Sequence, residues 1–167
     1  ARNVQFDGWD SVQIVDFSEN EELYEVLKKL KEIYPDSTPF VNKNGDALLN
    51  RLSTSWGIDA QNPYYDEATK IWKFSDVDPK YKELLDYVKK LFNEGLLDPE
   101  FVTTTQAQWT SKMTQKDKAF VTFDWIDRMV LFKEQTKDTV PGYDLRFAPP
   151  VGPNQNYPAV SQLCWAK

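Results

Sequence analysis

The side chains best placed to do chemistry lie in one six-residue stretch, Phe123-Asp124-Trp125-Ile126-Asp127-Arg128. It follows the apolar run Lys118–Phe123 and reads as the first turn of a helix. In α/β proteins ligands collect where strand ends meet helix starts. Two carboxylates and a guanidinium beside an indole suit a sugar ring. The ring's C–H face stacks on the aromatic plane while its hydroxyls take charged hydrogen-bond partners. The plainer reading is also open: Asp124 caps the helix, and Asp127 and Arg128 pair along it. Trp56, in Ser53-Thr54-Ser55-Trp56-Gly57, is a second ligand candidate, or else a plug at a helix end. Trp109 shares helical spacing with Met113, Trp72 is expected to pack across a hairpin, and both are expected to build the core.

Catalysis is not what these residues suggest. Asp124 and Asp127 resemble a glycosidase pair in type, but on one helix they would flank the same side of a substrate, whereas hydrolysis needs groups across the scissile bond. No P-loop, no G-x-S-x-G and no G-x-G-x-x-G occurs. Asn42, Asn44 and Asp46 alternate like a calcium loop, but the twelfth position is Ser53 instead of an acid. The chain has no His and one Cys, so the usual metal ligands and an internal disulfide are missing. No catalytic residue, metal or cofactor is expected.

Those residues need a scaffold, and the pattern of apolar positions predicts one. Ser18 with Glu21 forms a capping-box pattern ahead of Leu23, Val26, Leu27, Leu30 and Ile33, a helical face ended by Tyr34-Pro35. Val12–Phe17 and Thr38–Val41 read as strands. Leu48, Leu49 and Leu52 mark a short helix ending near Gly57. Residues 63–75 read as two aromatic strands about the turn Asp66–Thr69. Asp78-Pro79 starts a helix that keeps its spacing through Phe92 and stops at Gly95. Thr103–Thr105 can cap the helix carrying Trp109. Lys118–Phe123 is a buried strand, 133–142 a polar loop, Tyr143–Ala148 a strand, and Pro149–Asn154 an ordered extended loop. Strands alternating with longer helices define an α/β domain.

With 167 residues, 41% hydrophobic and 28% charged, the chain can bury a core. Its net charge of −6 argues against nucleic acid and anionic membrane as partners. No run of 18 apolar residues occurs, so no direct membrane insertion is expected. The chain opens on Ala1, and the apolar stretch Tyr157–Lys167 carries no terminating signal. A processed or excised piece of a longer protein is expected.

Three stretches together resemble the family-1 extracellular solute-binding proteins of bacterial ABC importers, in particular the large lipoprotein branch of oligosaccharide uptake. The first is Glu22–Pro35, although the family's Thr-Trp-Asp-Glu lead-in is Phe17-Ser18-Glu19-Asn20 here. The second is Tyr87–Phe101, with the phrase Glu94-Gly95-Leu96-Leu97-Asp98-Pro99-Glu100. The third is Trp109–Met113 followed by Lys118–Trp125, where the usual Gly before that Lys is Asp117. The resemblance covers about residues 20–153. It implies one lobe of a type II periplasmic-binding-protein-like fold, with helices packed on a small mixed sheet. Residues 1–19 would be a leading or altered junction and 20–167 a single lobe. It implies non-catalytic capture of an oligosaccharide or other small solute in an inter-lobe cleft, with Trp125, Asp124, Asp127, Arg128 and Trp56 as ligand-binding candidates. The partner would be an ABC permease, and the location extracellular, as a cell-surface lipoprotein or periplasmic protein. A glycoside hydrolase fragment using Asp124 and Asp127, or a protein-interaction module, are the alternatives.

Overall fold

A computed structural model describes residues 20–148 and 162–166. The expected strand Val12–Phe17, the Ser18 cap and the loop Pro149–Asn154 lie outside them.

Among the described residues five helices and five strands follow in the order α1 (Asn20–Ile33), α2 (Gly45–Ser53), β1 (Tyr64–Asp66), β2 (Ile71–Lys73), α3 (Pro79–Asn93), α4 (Gln106–Met113), β3 (Val121–Asp124), α5 (Arg128–Thr136), β4 (Leu145–Ala148) and β5 (Gln162–Ala166). Single 3₁₀ turns occupy Thr54–Trp56 and Ser75–Val77. The protein is therefore mixed α/β, as its alternating pattern indicates.

The helix boundaries follow from local chemistry. Asp78 caps α3 by accepting from the Lys80 N–H at 2.9 Å, with Pro79 at the first helical position, where its missing donor costs nothing. Gly95, at φ +67°, turns the chain out of α3 and lets Leu96 N–H reach back to the Leu91 carbonyl at 2.9 Å. Thr105 and Gln108 form a reciprocal capping box at α4. At the start of α2, Gly45 has no substitute: a Cβ there would stand 2.8 Å from the Val102 Cα.

The main sheet has the order β3-β5-β4, with β5 antiparallel to both neighbours. Phe40 extends it by parallel bridges to Val121 on one side and Leu97 on the other. The rows thus run Leu97, Phe40, β3, β5, β4. Thr38–Val41 contributes that single bridging residue where a strand is expected.

Alternation along β3 divides the core. Val121 and Phe123 face a cluster built from α1, α2 and α3, including Leu23, Leu27, Leu52, Leu84 and Leu91. Thr122 turns to the opposite side, where α4 and α5 supply Trp109, Met113 and Phe132. Helices cover both faces, which explains why all four β3 residues are buried.

Two expectations need correction. The polar loop 133–142 begins later than expected, because α5 runs through Thr136. Phe132 is fully buried against Trp109, and Thr136 is buried with its hydroxyl donating to the Phe132 carbonyl at 2.7 Å, so Lys133–Gln135 form the helix's wet face. Trp72 does pair across the hairpin with Tyr65, ring centroids 5.7 Å apart, yet it builds no core: it is 69% exposed. The hairpin is held by its other face. Tyr64 donates to Asp78 at 2.6 Å, and Lys73 joins Asp66, which leaves the aromatic face outward.

Candidate functional site

The first row, Phe40, lies between the second, Leu97, and the third, β3, so the chain leaves it in one direction and later crosses to the other side. A crevice forms beyond the carboxyl ends of the rows at such a switch point. Asn42 and Lys43 follow the first row there, and Asp124 ends the third.

Asp124 is the hub. Its side chain is fully buried. Oδ1 accepts from the Trp125 N–H at 2.9 Å and from Arg128 Nε at 2.8 Å. Oδ2 lies 2.6 Å from Lys43 Nζ, an ion pair between two poorly exposed side chains. Burial pushes the Asp124 carboxyl up, but Lys43, Arg128 and the Trp125 N–H more than offset this and hold it below its ordinary value.

Lys43 in turn donates to Gln106 Oε1 at 2.6 Å and sits over the Trp109 ring, 4.1 Å from its centroid. The Trp109 indole N–H donates to Thr122 Oγ1 at 2.9 Å, and Thr122 donates to Asn42 Oδ1 at 3.3 Å. The Arg128 guanidinium carbon lies 5.9 Å from the same Trp109 ring. A buried polar chain beneath a charged cluster therefore holds the strand ends in register.

Above this base Trp125 and Ile126 stand free, 58% and 55% exposed. Asp127 is exposed and 3.9 Å from Arg128 Nε. Arg128 thus pairs with Asp124 in preference to Asp127. The expected helix start is also displaced: α5 begins at Arg128 with Asp127 as its N-cap, and neither Asp127 nor Asp124 caps it through a side chain to the helix.

Asp124, Trp125, Asp127 and Arg128 do come together. Trp56 does not join them: it is half-buried, packed against Tyr87 of α3 with ring centroids 5.4 Å apart, and borders the first core cluster. Lys43 and Gln106 are site residues that sequence reasoning missed, and Asn42 enters as a hydrogen-bond partner instead of a calcium ligand. A lysine just past a short bridging segment is an ordinary feature, and its partners are distant in the chain. Only the strand-end position of Lys43 carried any signal.

Among the described residues no cluster of three metal-ligating side chains occurs, and no helix is long and apolar enough to cross a membrane. No protein-family model matches the sequence, and comparison with curated proteins gives no match either.

Proposed function

We propose that this chain forms one wall of a solute-binding cleft and captures an oligosaccharide for an ABC importer, without catalysing a reaction. The observation that carries the reading is the exposed Trp125, whose backbone N–H is held by Asp124 of the Lys43–Asp124–Arg128 cluster. An apolar plane with charged donors and acceptors at its edge is the surface a pyranose needs. Two further features support it. The row order, with an antiparallel strand entering between β3 and β4, fits a lobe whose chain crosses to a partner lobe and returns, as the family resemblance implies. Asp124 is ill suited to acid catalysis: a general acid needs a raised pKa, and its ion pairs lower this one. A cell-surface lipoprotein or periplasmic location belongs to the same reading.

Titration calorimetry of the intact protein against a panel of neutral and acidic oligosaccharides tests it. Binding of at least one saccharide is expected, weakened roughly tenfold or more by Trp125→Ala, as loss of a stacking aromatic implies. Absence of binding across the panel would sink the reading.

A second reading, a protein-interaction module, is favoured by the outward face of the hairpin, where Tyr65, Trp72 and Phe74 are 41%, 69% and 60% exposed. Sedimentation of wild type and Trp72→Ser would separate the two: self-association abolished by the substitution favours the interaction module.

A further inference from the structure

The charges of the cleft wall do not cancel. Two cations, Lys43 and Arg128, converge on one fully buried carboxylate, Asp124. Their side chains are only 11% and 20% exposed, so water screens neither well. The other nearby carboxylate, Asp127, is 69% exposed and 3.9 Å from Arg128, a solvated contact of little weight.

The two cations differ in how far they are satisfied. Lys43 is closed in by Asp124, Gln106 and the Trp109 ring. Arg128 uses Nε alone on Asp124, and among the described residues neither of its Nη groups finds an acceptor. A guanidinium has five N–H donors in a planar fork. Four of them therefore remain on a partly desolvated group one turn along the chain from the exposed Trp125.

We propose that the solute captured at this wall bears a carboxylate, as in a uronate-containing oligosaccharide, and that Arg128 receives it through its two Nη groups. The inference rests on the saccharide reading above and narrows it. A carboxylate matches the fork in a bidentate pair and supplies the missing countercharge, while the adjoining ring stacks on Trp125. A hydroxyl can accept from the fork but leaves the excess positive charge in place.

The test uses matched pairs: glucuronate, galacturonate and mannuronate oligomers, each against its carboxyl-reduced counterpart, by titration calorimetry of the intact protein. At least one acidic oligomer is expected to bind tighter than its reduced partner by roughly tenfold or more, the range of a charge-assisted hydrogen bond. Arg128→Lys keeps the charge but loses the fork, and should cut that ratio severalfold. In the wild-type protein the ratio should fall as ionic strength rises, a readout that holds even if the Arg128 variant folds poorly. Reduced oligomers binding as tightly as the acidic ones would overturn the inference and leave the saccharide reading standing. Binding of neither kind would overturn both.

Discussion

Trp125 and Asp124 stand out in the sequence because their signal is local: an indole and two acids directly after an apolar strand. Lys43 does not, because its role exists only once the Phe40 row lies against β3 and brings two distant strand ends side by side. Asp124→Asn would strand two poorly hydrated cations, and we expect a loss of about 3 kcal/mol in urea unfolding, the lower end for a broken buried ion pair. The pH dependence has a definite sign. The folded carboxyl sits below its unfolded value, so its contribution is complete above the unfolded pKa of about 4 and fades as pH falls through the lower folded pKa. Denaturation followed from pH 6 to pH 2 should show this acid limb, flattened in the Asn variant. Beneath the cluster, Thr122→Val leaves the buried Trp109 N–H without its acceptor, at a cost of about 1–3 kcal/mol.

The amphipathic helices were the most legible elements, since a 3.6-residue period and a cap are written into consecutive residues. Helices α1 and α3 therefore appear where the spacing of Leu23–Ile33 and Tyr81–Phe92 places them. The hairpin was legible as a hairpin but not in its orientation. Which side of a two-stranded ribbon faces inward depends on what it docks against, and here Asp78 at the start of α3 captures the polar side through Tyr64. Asp78→Ala should cost about 1 kcal/mol for the lost cap alone. It should also speed amide hydrogen exchange across Tyr64–Lys73 more than in the rest of the molecule. Gly45→Ala tests a different constraint, the close passage of Val102 over the start of α2. Overpacking against backbone there should cost about 1–3 kcal/mol, visible as a lower thermal midpoint.

For the molecule as a whole, an α/β class was readable from alternating patterns, whereas the row order was not. The apolar stretch near Lys167 gave no sign of its destination, yet Gln162–Ala166 become the row between β3 and β4. Hydrophobic composition says that such a segment is buried, not which neighbours it will separate. That placement has a consequence for how the chain is made. A ribosome delivers β3 and β4 before the strand that joins them, so the backbone edges that will face β5 stay unpaired until Gln162–Ala166 emerge. The nascent chain is then exposed to edge-to-edge association during that interval, and a chaperone that shields β-edges would raise its yield more than one that shelters helices.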